Sequence, residues 1–278
     1  MGLDTRYVLY ALRRSPLSIL GASLVLLAIA VAILAPVIAP HEPNQLDFSR
    51  GLQPPSRRHL AGTDRLGRDV FSRVVFGTRE ALTVAAVVVG IAATLGTLVG
   101  AISGLAGGAL DAFIMQVTDV FLSVPRLVLA MVAAAALGPS MTNAMAALAL
   151  VWWTWYARMV RGEVLALKTT EFIQASQVIG TGRFRLVFKH LLPNCAGVVL
   201  VQTSLQMGLA VLTSAGLSFL GLGAQEPTPS WGLMISAGRE YLPEAWWITT
   251  FPGIAICILV AGFLLLGDGL RDMIARDV

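Results

Sequence analysis

The densest run of chemically capable side chains comes early: His59, Gly62-Thr63-Asp64, Gly67-Arg68-Asp69, then Ser72 and Arg73. Aspartates beside glycines suit a tight turn, because Asp accepts from backbone N–H groups and Gly takes φ > 0. The same residues could equally form a contact surface for another protein. His59 reads as a hydrogen-bonding loop residue rather than a metal ligand. A second polar set, Gln202, Gln206 and Thr213, falls within about 40° on a helical wheel along an otherwise apolar stretch. Such a stripe suits either hydrogen bonds between helices or the lining of a path for a polar solute. A third set lies in a basic, amphipathic stretch over 158–194: Glu171, Gln174, Ala175, Ser176 and Gly180, then His190, Leu192 and Pro193. Phe172, Ala175 and Ile179 recur at helical spacing and Gly180 closes that helix. Phe184 to Leu191 forms a second short stretch that ends before Pro193.

None of these sets is catalytic. The chain has no Gly-x-x-x-x-Gly-Lys-Ser/Thr phosphate cradle, no Ser-His-Asp arrangement and no His-Glu-x-x-His helix. It has no paired intramembrane carboxylates of the kind a proton relay uses, and no intramembrane His or Cys cluster for a bare metal. It is read as a non-enzyme that binds no cofactor and no metal itself.

The elements that must hold these residues follow from composition. Hydrophobic residues are 56% of the 278 and charged residues only 13%, with a mean hydropathy of +0.76. A soluble domain carries about 25% charged residues, so this chain has too little polar material for a water-facing surface. Disorder, coiled coil and a disulfide scaffold are excluded by the same figures. Net charge is only +4 and no basic stripe interleaves with aromatics, which argues against nucleic acid. Cys195 and Cys257 lie in apolar segments and read as small hydrophobes.

The expectation is an all-α membrane protein with six transmembrane helices. Spans are expected at Leu17 to Ala39, Ala81 to Leu105, Phe113 to Leu137, Met141 to Ala157, Ala196 to Leu220 and Ala245 to Gly267. Gly138-Pro139-Ser140 separates the third from the fourth. Trp246 and Trp247 suit an aromatic belt. Gly90, Gly96 and Gly100 suit close helix packing. Asp119, Pro125 and Arg126 are costly inside the third span unless that helix enters lipid later, and entry near the interface is favoured. With both termini cytoplasmic, the 20 Lys and Arg divide as 12 inside and 8 outside, a weak bias in the direction of the positive-inside rule. Residues 1–80 form an N-terminal segment, first helix and extracytoplasmic loop; residues 81–278 form the core, with the cytoplasmic loop at 158–194.

Gln174-Ala-Ser-x-x-x-Gly180, nine residues, then His190-Leu-Leu-Pro193 resembles the EAA loop of ATP-binding-cassette importer permeases. Gln174 and Ser176 replace the Glu and second Ala of the family pattern, and Glu171 supplies charge one turn earlier. Gly62-Thr-Asp-x-x-Gly-Arg-Asp69-x-x-Ser72-Arg73, Gly216 to Gly223 and Pro227 to Met234 are similar to the second permease of each pair in the peptide/nickel branch. The resemblance covers Leu17 to Asp272. It implies a type I importer fold and a bacterial inner-membrane location. It also implies a coupling helix at Glu171 to Gly180, a second homologous permease, two ATPase subunits that bind ATP and Mg²⁺, and an extracytoplasmic binding protein. Implied substrates are dipeptides, oligopeptides or nickel, free or chelated. A stand-alone ion-coupled secondary transporter is the competing reading.

Overall fold

The computed structural model describes residues 16–275, so Arg6, Arg13, Arg14 and Arg276, all part of the topology expectation, lie outside the described residues. Nine helices of eight or more residues are described: α1 (Pro16–Ile38), α2 (Val70–Ala106), α3 (Gly108–Ser123), α4 (Arg126–Leu137), α5 (Met141–Leu167), α6 (Glu171–Val178), α7 (Leu192–Phe219), α8 (Trp231–Gly238) and α9 (Trp247–Ala275). No strand forms among the described residues; a lone bridge joins Thr63 to Asp69.

Four helices are long and apolar enough to cross a membrane by themselves: α1, α2, the run Leu186–Phe219 that contains α7, and α9. The third expected span is broken. Its α3 and α4 meet at 90°, and counting them as one span brings the number to five. Pro125 explains the break, because it offers no N–H and pushes the preceding residue out of helical space. Val124 is accordingly extended, at φ −99° and ψ 139°. The remaining expected span is α5, whose 27 residues reach about 40 Å at the helical rise. Tryptophans, Tyr156, Arg158 and Arg161 make it less apolar than the others.

Helix boundaries also move. The second span begins at Val70 rather than Ala81 because Asp69 caps it, its carboxylate accepting from the Ser72 N–H at 2.8 Å. At 37 residues, α2 is about 55 Å long and overshoots a ~30 Å hydrocarbon core. The segment before Pro193 does not stop there. Leu186–Leu191 forms a π-helical turn that runs directly into α7, with Pro193 in the first turn. The wider turn, closed by the Leu192 N–H onto the Val187 carbonyl, carries the chain past the donor that proline lacks.

The bundle is organised on α2, which lies along α5, α7 and α1, while α9 lies along α1 and α7. Glycines bring α2 and α5 close. A Cβ at Gly96 would sit 2.2 Å from the Trp153 carbonyl oxygen, and one at Gly100 2.4 Å from that of Ala157. Gly90 plays no such part, with nothing within 4 Å of its Cβ position. In α1, Pro36 frees the carbonyl of Ala32, and Arg79 of α2 donates to it and to Ile33. Trp247 is no belt residue; it is buried and its indole N–H donates to the Thr63 carbonyl at 3.0 Å, while Trp246 stays exposed.

Gly96→Val should separate α2 from α5 and lower the yield of monodisperse chain in fluorescence-detected size exclusion, an overpacking cost of about 1–3 kcal/mol or more. Gly90→Ala should leave the profile unchanged.

Candidate functional site

The N-terminal end of α2 is a compact corner of charged side chains. Gly62 and Gly67 take φ +72° and +74°, which folds 62–69 back on itself. Asp64 accepts from the N–H groups of Leu66 and Arg68 at 2.8 and 3.0 Å, and from the Arg68 Nε at 2.6 Å. The other face of Arg68 forks onto Glu226, which arrives from the loop after α7. Arg73 is wholly buried and donates to the Pro43 carbonyl, Asn44 and the Thr228 carbonyl. Thr63 donates to the Arg50 carbonyl at 2.5 Å. The turn reading of Gly62, Thr63, Asp64, Gly67, Arg68 and Asp69 is therefore what the geometry contains, and most of these side chains are buried. Glu226 was not singled out in the sequence; Arg73, which closes the motif, was noted there without its burial or its partners.

Burial works to raise the Glu226 carboxyl pKa, but Arg68 and Arg73 overcome it and hold the group below its ordinary value. His59 is buried and shares its Nδ1 with the Asp69 carboxylate at 2.9 Å, as a hydrogen-bonding residue does. His41 stacks on it, ring centroids 4.7 Å apart. Among the described residues, His41, His59 and Asp69 are the group whose donor atoms converge enough to hold a metal, all within 4.8 Å. The Asp69 carboxylate is already engaged by His59 and by the cap of α2.

At the opposite end the structure builds a short lever. Helix α6 carries Glu171, Gln174, Ala175 and Ser176, and Gly180 closes it at φ +78°. The Thr181 N–H reaches the Ser176 carbonyl at 3.1 Å, the longer bond of a Schellman cap. Ile173 is the buried anchor, packed with Val160 and Val164 of α5, Leu186 and Leu191 of the π turn and Cys195 of α7. Phe172, Ala175 and Ile179, the face found by helical spacing, point away from the bundle. With Val178, Phe184 and Phe188 they leave an apolar surface uncovered. His190 lies in the π turn; Leu192 and Pro193 open α7.

Ion pairs brace the base of this lever. Arg161 of α5 forks onto Asp111 of α3 at 2.6 and 2.7 Å, and Arg158 pairs with Asp119. Lys168 donates to the carbonyls of Gly104 and Leu105 near the end of α2, where a cation also meets the negative end of the helix dipole.

Between the two ends, the polar stripe of α7 splits. Gln206 is only 2% exposed, buried where α7 packs on its neighbours, as the interhelical one of the two readings has it. Gln202 is half-buried. Thr213 does line an open cavity of about 320 Å³, together with Pro125, Arg126, Leu127, Trp152 and Leu209. A helical wheel treats the stripe as one face, but α2, α5 and α9 cover α7 unevenly along its length.

Arg68→Leu would strand a buried Asp64, and removing one partner of a buried pair costs about 3–5 kcal/mol; unfolding of the purified chain in detergent should show it. For Glu226 the folded pKa is depressed, so its contribution is present above the ordinary carboxylate range and is lost as pH falls. Glu226→Gln should remove part of the stability loss seen on acidification, and a smaller part than its pairing implies, since Glu226 is 44% exposed.

Comparison with known proteins places the chain. The family described as binding-protein-dependent transport system inner membrane component matches residues 96–278. The N-terminal TM domain of oligopeptide transport permease C matches residues 5–55. The chain is 43% identical to the probable D,D-dipeptide transport system permease protein DdpC of Escherichia coli, over 96% of this chain and 90% of the relative. It is 41% identical to a dipeptide transport system permease protein DppC of Alkalihalophilus pseudofirmus, over 94% and 86%. It is 38% identical to a di/tripeptide transport system permease protein DppC of Pseudomonas aeruginosa, over 91% and 85%. A multi-pass helical chain with these relatives belongs to the binding-protein-dependent transport system inner membrane components, the permease subunits of ATP-binding-cassette importers.

Proposed function

We propose that this chain pairs with a second, homologous permease to form the path by which an ATP-driven importer takes up short peptides. Two ATPase subunits bind ATP and Mg²⁺ and dock on the α6 surface, and an extracytoplasmic binding protein delivers the peptide at the Gly62–Asp69 side. The chain itself binds no cofactor. Both termini lie on the cytoplasmic side with α6.

The observation that carries this reading is the uncovered apolar face of Phe172, Val178, Ile179 and Phe184 on a lever anchored by Ile173. Exposed apolar surface of this kind marks a contact site, and a helix clamped to α5 and α7 transmits movement to both. Closure of the ATPases would push α6; the ion pairs at Asp111 and Asp119 would make α3 and α5 respond together, and Lys168 would carry the movement to the end of α2. ATP and the loaded binding protein shift this equilibrium only through their different affinities for its two states. The sequence holds no paired intramembrane carboxylates of the kind a proton relay uses, which weighs against the secondary-transporter alternative.

Gly180→Val tests the lever. A β-branched residue at φ +78° is strained by its backbone, and nothing within 4 Å of the Cβ position adds a clash. Membrane levels of the chain should be unchanged, while uptake of labelled dipeptide into a strain deleted for the chain and ATPase co-purification both fall. Nickel uptake, run in parallel, should not depend on the chain. Normal uptake and co-purification in the variant would overturn the coupling role; nickel dependence would replace the peptide substrate.

Topology is read with single cysteines in a chain lacking Cys195 and Cys257. Arg57→Cys and Ile179→Cys both occupy exposed positions. An impermeant reagent should label the first from outside and the second only after permeabilisation, and the reverse pattern would invert the orientation.

A further inference from the structure

Arg126 is a cation at membrane depth that has no counter-charge among the described residues. It opens α4 directly after the 90° break. Its guanidinium carbon lies 5.9 Å from the ring centre of Trp152 and 5.1 Å from that of Trp155. Those tryptophans stand 11 and 14 residues into α5 from Met141, about 16–21 Å at the helical rise, near the middle of a ~30 Å hydrocarbon core. Among the described residues no carboxylate pairs with Arg126, and its Nη1 is buried with no hydrogen-bond partner. The position expected at the interface is instead one wall of the 320 Å³ cavity that Thr213 also lines.

A guanidinium cannot face hydrocarbon at this depth without large cost, and such residues border cavities or pair with charge. This cavity has no acidic lining, while its volume falls in the ~300–1,000 Å³ range of small-molecule sites. Pro125 leaves the N-terminus of α4 without a side-chain cap, so the positive end of the helix adds to the guanidinium. Trp152 and Leu209 offer apolar wall, and Thr213, whose hydroxyl donates to the Leu209 carbonyl at 2.6 Å, keeps lone pairs free to accept an N–H. The combination matches a small zwitterion with one carboxylate.

We infer that Arg126 is a carboxylate-recognising residue of the translocation path, holding the C-terminal carboxylate of a short peptide during passage. The inference rests on the proposed peptide-importer reading and extends it to a residue and a chemical group. Two parallel N–H···O bonds suit this pairing, and lysine reproduces the charge without the fork.

The test uses the whole complex in proteoliposomes, with the binding protein saturated by alanyl-alanine or by its C-terminal amide so that delivery affinity drops out. Wild-type complex should carry the free dipeptide faster than the amide by about ten- to a hundredfold, the worth of charge-assisted hydrogen bonds. Arg126→Gln should erase that preference by slowing the free dipeptide alone, and Arg126→Lys should retain part of it. Equal slowing of both substrates, no change in either, or a wild type blind to the amide would overturn the assignment. So would loss of subunit co-purification in Arg126→Gln restored by Arg126→Lys, which would make Arg126 a partner-subunit contact. A wild-type complex that carries neither substrate defeats the peptide reading itself, visible before any variant is compared, and the carboxylate role falls with it.

Discussion

Close backbone contact between α2 and α5 is the constraint on which the rest of the molecule hangs. In lipid, helices gain little from burying apolar surface against each other, because hydrocarbon is already apolar; they associate through tight packing and hydrogen bonds. Gly96 and Gly100 permit that packing, with the Trp153 and Ala157 carbonyls where side chains would otherwise be. Once α2 and α5 are fixed, the elements at both their ends are fixed too. The charged corner grows from the N-terminal cap of α2, and α6 hangs from the C-terminal end of α5.

The two ends are built by different physics. At the α2 N-terminal end polar groups satisfy one another in a knot drawn from the early loop, the first turn of α2 and the loop after α7: Arg68 joins Asp64 to Glu226, Arg73 lies 3.6 Å from the same Glu226, and Asp69 holds Ser72 and His59. Such a knot holds loops in place and tolerates little change. At the opposite end, the α6 segment is held by one small apolar cluster and leaves the rest of its apolar face exposed. A hydrogen-bonded cap thus stands at one end and a helix held by apolar packing at the other.

The centre is shaped by a single proline. Pro125 turns what would be one span into α3 and α4, and the elbow brings Arg126 over Trp152 and Trp155. The same elbow frees α3 to bring Asp111 and Asp119 to Arg161 and Arg158. A cation–π environment lowers the cost of an arginine in a dry place, and here the helix break supplies that environment.

Much of this was legible in the residues themselves. Charge scarcity dictated a bilayer protein, the Gly and Asp spacing of 62–69 dictated a turn, and Gly180 dictated the end of α6, because each rests on local chemistry that needs no neighbour. The 90° angle at Pro125, the burial of Gln206 beside the open position of Thr213, and the role of Glu226 were not legible. They depend on which helix covers which face and on a residue more than 150 positions distant in sequence meeting Arg68. A one-dimensional pattern records the direction in which a side chain leaves its helix, and only packing decides whether protein, lipid or an empty cavity stands there.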